Sequence, residues 1–191
     1  MIKKLNITAL LIMLMLVNQL FAQSDKILLY GNCNIDEANK LSEYLKTTSN
    51  IDLAFEINDE ANLVFSRYSI IFLCGNSYLK LSETHIKELN RMILNGSFLL
   101  IDNYKSDYTL SIFLKKLLAE YPEKNNSISE VFKNNPYKVN FKKLQLNTKQ
   151  VYISEKLRVL ALKNESIFES ELNDNNIRLG SSIIFNYLIG N

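Results

Sequence analysis

The chain has no tryptophan, two prolines, five glycines, two cysteines and one histidine in 191 residues. Scarce proline and glycine exclude long irregular linkers and repetitive low-complexity architecture. A single histidine with two cysteines is a poor metal set, and neither cysteine has a close Cys or His in ligand spacing, so no zinc site and no other cofactor is expected. No block of like charge reaches the length of a disordered tail. No Gly-x-x-x-x-Gly-Lys-Ser/Thr phosphate loop occurs, so nucleotide binding has no support. No basic stripe interleaved with aromatics occurs either, and nucleic acid is not an expected partner.

What the chain does have begins with an address. Lys3 and Lys4 precede an apolar core from Ala9 to Val17, and "LFAQ" ends in the small residue Ala22. That order of basic start, short apolar middle and small residue at the cut predicts a secretory signal over 1–22. The apolar core is about half of the roughly 20 residues a spanning helix needs. Cleavage would leave no stable membrane span, and an uncleaved anchor is the alternative. The mature protein, 23–191, is expected in the periplasm or outside the cell. Lys3 and Lys4 leave with the signal and no acid does, so twenty basic side chains then face twenty acidic ones.

The mature chain alternates between two hydrophobic periods. "KILLYG" (26–31), "YSIIFLCG" (68–75) and "SFLLIDN" (97–103) are continuous apolar runs, as for strands buried on both faces. "IDLAFEI" (51–57) has period two and predicts a strand nearer an edge, followed by a helical turn around "NDEANLVF" (58–65). Helices are predicted from an Asn34 cap with Ile35, Ala38, Leu41 and Leu45 inward, and from a Ser82 cap with Ile86, Leu89, Met92 and Ile93 inward, ending at Asn95–Gly96. A third stripe, Leu110, Phe113, Leu114, Leu117, Leu118 and Tyr121, runs to Pro122. Residues 123–154 read as loops with one or two short strands, "KLRVLAL" (156–162) as a strand, and 174–189 as a buried helix. This order predicts one α/β domain: a three-layer sandwich around a mostly parallel, doubly wound sheet.

In such folds ligands gather beyond the carboxyl ends of the strands. Here that rim holds Asn32, Cys33 and Asn34, then Gly75, Asn76, Ser77 and Tyr78, then Asp102, Asn103 and Tyr104. It is neutral and rich in amides, with one carboxylate. Asp102 reads either as a ligand-facing acid or as a cap in "IDNYKSDY". Cys33 and Cys74 end strands that commonly neighbour each other, and in an oxidising compartment they either form a disulfide or stay two buried thiols. A nucleophilic Cys74 would need a base such as His85, three residues into the following helix. The nucleophile elbow fails, because its glycine positions hold Phe72 and Asn76.

Taken together, "YSIIFLCGNSYLKLSETHIKELNRMILNGSFLLIDN" resembles the core of the domain of unknown function family 4159. "FLKKLLAEYPE" resembles that family's helix ending in Phe-Pro, "KLRVLAL" its late strand and "RLGSSIIFNYLI" its closing helix, so the resemblance covers roughly 27–189. It implies a fold similar to class I glutamine amidotransferases (flavodoxin-like layering), in bacterial envelope proteins usually without an assigned activity. Where the family has a histidine after the turn glycine, this chain has Asn76. Ser97 replaces the second glycine of a pair, Asn103 the second aspartate, and Asn135–Pro136 a His-Pro. The acidic and tryptophan motif expected after the late strand is missing around "KNESIFES". Asp102 alone persists.

Three functional expectations follow. The first is a non-catalytic binding or assembly module of the envelope, with an unknown protein partner or a small polar ligand. The second is a cysteine-dependent hydrolase or amidase using Cys74 and His85. The third is a receptor holding a small polar molecule such as a sugar through Asn32, Asn76, Asp102 and Tyr104.

Overall fold

The computed structural model describes residues 26–58, 63–125, 129, 132, 136–141, 147–163, 166–168 and 174–189. The expected signal at 1–22 lies outside them, as do Asn135 and residues 59–62 of the predicted 58–65 turn. The chain runs β1 (Lys26–Gly31), α1 (Ile35–Ser49), β2 (Ala54–Asn58), β3 (Ile70–Cys74), α2 (Glu83–Leu94), β4 (Phe98–Tyr104), α3 (Asp107–Leu117), β5 (Asn147–Ile153), β6 (Lys156–Lys163) and α4 (Asp174–Ile189). Short 3₁₀ turns occupy Phe65–Arg67 and Ser77–Lys80. The six strands form one sheet in the order β2-β1-β3-β4-β6-β5, parallel except for β5.

Side-chain alternation explains the layers. Ile27 and Leu29, Ile70 and Phe72, and Phe98 and Leu100 point to one face, where α1 and α4 cover them with Ala38, Leu41, Leu45, Leu179 and Ile183. Leu28, Ile71, Leu73, Leu99 and Ile101 point to the other, under Ile86, Leu89 and Ile93 of α2 and Leu110, Phe113 and Leu114 of α3. Leaving β1, the chain passes through α1 to β2 on one side. It then returns to β3 on the other side and proceeds through α2 to β4. Right-handed crossovers in opposite directions put α1 and α2 on opposite faces. The architecture is therefore the expected three-layer, doubly wound α/β sandwich.

Local chemistry sets the helix starts. The Asn34 side chain accepts from the Asp36 and Glu37 N–H groups, and the Ser82 hydroxyl from the N–H of His85. Ser106 caps α3 through the N–H of Thr109. Two elements depart from the periodicity. The predicted strand at 51–57 begins only at Ala54, because Ser42 Oγ of α1 bonds the Leu53 carbonyl at 2.7 Å and draws residues 51–53 under the helix. Ile57, near the end of this edge strand, is 48% exposed. The third helix stops at Leu117 rather than at Pro122, because the Asn90 amide donates to the Leu117 carbonyl and Leu118 leaves the helical conformation to bury itself. The two-residue turn between β5 and β6 has φ of 50° at Ser154 and 66° at Glu155. A hairpin turn with both central residues at positive φ matches the twist of its strands.

Where α1 and α4 meet, Gly180 permits close contact. A Cβ there would stand 2.9 Å from Leu41 Cδ2 and 3.1 Å from Ile167 Cγ2, and both neighbours are fully packed. Gly180→Ala is expected to destabilise the fold by about 1–2 kcal/mol, overpacking outweighing the gain in helix propensity. Urea denaturation measures it, and a neutral or stabilising result would show that the helices can separate freely.

Candidate functional site

The order β2-β1-β3 puts the reversal of chain direction between β1 and β3, where doubly wound proteins open their ligand crevice. Gly31 and Cys74 are register partners there, and Cys74 is in turn paired with Asp102 on β4. The three predicted rim segments therefore converge. What they form is closed by the protein's own atoms.

The first closure is covalent. Cys33 and Cys74 are joined in a disulfide with Cα atoms 5.4 Å apart, binding the start of α1 to the end of β3. The second is steric. Gly31 has φ +97°, and a Cβ on it would lie 2.5 Å from Ser77 Cβ and 2.8 Å from the Cys74 carbonyl oxygen. Only glycine allows the 3₁₀ turn to approach this closely. Ser77 is buried, and its hydroxyl donates to the Tyr30 carbonyl at 3.2 Å.

Asp102 makes the third closure. It is fully buried on the β4 end, and its carboxylate accepts from the Ile167 N–H at 2.9 Å, the Phe168 N–H at 3.2 Å and the Ser166 hydroxyl at 3.0 Å. Phe168 in turn offers its carbonyl to the Asn34 N–H at 2.7 Å, and Gly75 donates to the Asp102 carbonyl at 2.7 Å. These contacts close a ring: Cys33 to Cys74, Cys74 across the sheet to Asp102, Asp102 to Phe168, Phe168 to Asn34. Asp102 thus caps a backbone segment more than sixty residues away, not the loop that follows it.

The rest of the rim also turns inward. Of the eight candidate ligand residues, Asn32 and Asn76 face solvent; Gly75, Ser77, Tyr78, Asp102, Asn103 and Tyr104 are buried. Tyr78 stacks on Phe113 and shares a hydrogen bond with Thr109 at 3.1 Å. Asn103 has φ 60°, tolerable for asparagine, where the β4–β6 register shifts, and its side chain accepts from Lys105. The four residues of the sugar-receptor reading are thereby split, with Asn32 and Asn76 outside and Asp102 and Tyr104 inside.

Cys74 and His85 lie on opposite faces of the sheet. The Cys74 side chain belongs to the α1–α4 core, whereas His85 packs edge-on against Phe65 in the α2–α3 layer, with ring centroids 6.0 Å apart. The His85 Nδ1 is buried without a hydrogen-bond partner among the described residues. A disulfide sulfur has no thiolate, so the hydrolase reading would require a reduced chain and another base. Among the described residues, no group of three or more His, Cys, Asp or Glu is arranged to hold a metal ion.

One polar network is not visible in the sequence. The Tyr104 hydroxyl donates to Asp107 Oδ1 at 3.0 Å, and Lys163 pairs with the other Asp107 oxygen. Beside them Lys149 pairs with Glu123 at 3.0 Å, and Ser111 donates to the same carboxylate. Its members come from β4, α3, β5, β6 and the loop after α3, and no local spacing announces them. Burial, then the Asp107 hydrogen bond, raise the Tyr104 phenol far above the ordinary tyrosine value of 10.0. Lys163, reinforced by Tyr104, lowers Asp107 below 3.8, against an opposing effect of burial. The Tyr104 contribution to stability is whole below about pH 10 and is lost as pH rises through the folded-state value. The Asp107 contribution is whole above about pH 4 and is lost as pH falls through its depressed value. An ultraviolet titration of the ten tyrosines is expected to show a late component that Tyr104→Phe diminishes. Titration of all ten in one step near the ordinary value would contradict the burial.

No protein-family model matches this sequence, and no curated protein matches it. The fold and the rim define a doubly wound α/β domain whose switch-point crevice is occupied by its own disulfide, serine and backbone. No helix among the described residues is long and apolar enough to cross a membrane.

Proposed function

We propose that this protein is an exported, non-catalytic α/β module that acts by binding or assembly in the bacterial envelope. The observation that carries this reading is the sealed switch point. The places where this fold class usually keeps a nucleophile and a ligand-facing acid hold Cys74, spent in a disulfide, and Asp102, spent on backbone N–H groups. The disulfide favours an oxidising compartment, in keeping with the signal read over 1–22. The resemblance to the domain of unknown function family 4159, with its glutamine-amidotransferase-like architecture and its histidine position taken by Asn76, points the same way.

The test is turnover of a panel of small amides and esters by the purified protein, with and without reductant. No turnover above buffer in either condition is expected. Thiol-dependent turnover that disappears in Cys74→Ala would replace this reading with the hydrolase one.

A further inference from the structure

Away from the rim, the outer surface of α3 and the neighbouring 3₁₀ turn carry an unusual mixture. Six large hydrophobic side chains are exposed among the described residues, and three of them, Leu79 (55%), Tyr108 (76%) and Ile112 (42%), belong to these two elements. The Tyr78–Thr109 hydrogen bond and the Tyr78–Phe113 ring contact, with centroids 5.2 Å apart, pin the turn against the first half of α3. Leu79 and Tyr108 flank that junction, and Ile112 follows Tyr108 by one helical turn on the same side. Scattered exposed apolar residues are ordinary; three at one junction, in a protein whose core is otherwise well covered, are not.

Charge says what the face suits. Lys80 ends the turn, Lys105 precedes the helix and Lys115 lies nearly one helical turn beyond Ile112, all three exposed. Of the acids on these elements, Asp107 pairs with Lys163 and Glu83 with Lys116, and Glu120 lies beyond the end of α3. Lys105 holds only the Asn103 amide, and Lys80 and Lys115 make no ion pair among the described residues. The face is therefore cationic around protruding apolar tips. Protein interfaces are depleted in lysine. Lysine stems that lie along apolar surface with their ammonium groups outward, beside tyrosine, leucine and isoleucine, suit the headgroup layer of a bilayer.

We propose that this face docks the domain on the surface of an anionic lipid bilayer, with Leu79, Tyr108 and Ile112 entering the headgroup region and Lys80, Lys105 and Lys115 neutralising lipid phosphates. The inference takes only its setting from the envelope reading, and the experiment below runs in a purified system that is indifferent to export and to catalysis.

The chain has no tryptophan, so Tyr108→Trp creates a single local reporter. On phosphatidylglycerol-containing vesicles its emission is expected to shift to the blue and to be quenched by brominated acyl chains, with little change on pure phosphatidylcholine. Adding Lys80→Gln, Lys105→Gln and Lys115→Gln is expected to weaken this response on the order of 100-fold, given the contribution of each lysine near an anionic surface. Binding through the N-terminal apolar segment would leave the emission of the indole at position 108 unshifted and would overturn the proposal. So would a response indifferent to the three lysines, or a soluble polyanion binding equally well while vesicles give no quenching. Circular dichroism of each variant checks that these surface changes leave the fold intact.

Discussion

A chain carrying Cys33→Ala and Cys74→Ala unfolds about 4 kcal/mol more readily than the oxidised protein. The bond joins residues 41 apart, and closing a loop of that length removes about this much free energy from the unfolded ensemble in the chain-entropy account. For a domain of this size the midpoint of thermal unfolding falls by about 10 °C. Reduction of the unaltered protein gives most of the same loss, since its two thiols still fit the space they held as a disulfide. Alanine is the better probe than serine at 74, where the side chain is almost fully buried and a hydroxyl would add a desolvation cost of its own. Equal stability of the reduced and oxidised forms would mean that hydrogen bonds alone hold the α1 start against β3.

The second large effect concerns Asp102. Asp102→Ala strips the acceptor from the Ile167 and Phe168 N–H groups and the Ser166 hydroxyl together. Two buried backbone donors left without partners cost about 1–3 kcal/mol each, and the total expected is about 3–5 kcal/mol. Asp102→Asn keeps the Oδ2 acceptor shared by Ser166, Ile167 and Phe168 but puts an amide donor where Oδ1 also accepts from the Ile167 N–H, so it falls between wild type and alanine. Hydrogen exchange at Ile167 and Phe168 should accelerate in the same order. An acid held in place to meet a ligand behaves oppositely: its removal leaves stability unchanged or improved. A neutral Asp102→Ala would therefore return Asp102 to the ligand-facing groups.

The disulfide and Asp102 show how far local pattern reaches. The apolar runs of β1, β3 and β4 are plain in the sequence because each strand is covered on both faces and has no polar phase to keep. The caps at Asn34 and Ser82 are plain because a cap acts within three residues. Asp102 stands out as special, but local pattern offers it only a ligand or a cap within its own loop. Its partners at 166–168 are brought to it by the return of the chain after β6. Likewise Pro122 is a local signal for the end of α3, and the stop comes instead from Asn90 on another helix. Tyr104, Asp107 and Lys163 give the same lesson, since a network drawn from several elements has no spacing to read. Cys33 and Cys74 fall between these cases: strand adjacency brings them near, and periodicity has no means of choosing a bond over two thiols.

The closed switch point also explains why an α/β sheet with an ordinary core can carry so little chemistry on its rim. Gly31, Ser77, Cys33, Cys74 and Asp102 are residue types that a catalytic rim would use, and each is engaged in holding adjacent segments together. What remains outward is Asn32, Asn76 and the α1 cap Asn34, none able to serve as base or nucleophile at neutral pH.

The measurement closest to this account is the thiol count of the protein recovered from the cells that make it, alkylated at once in denaturant without reductant. The account predicts no labelled cysteine and a mature chain that begins beyond Ala22. Two labelled cysteines on a chain still starting at Met1 would contradict it.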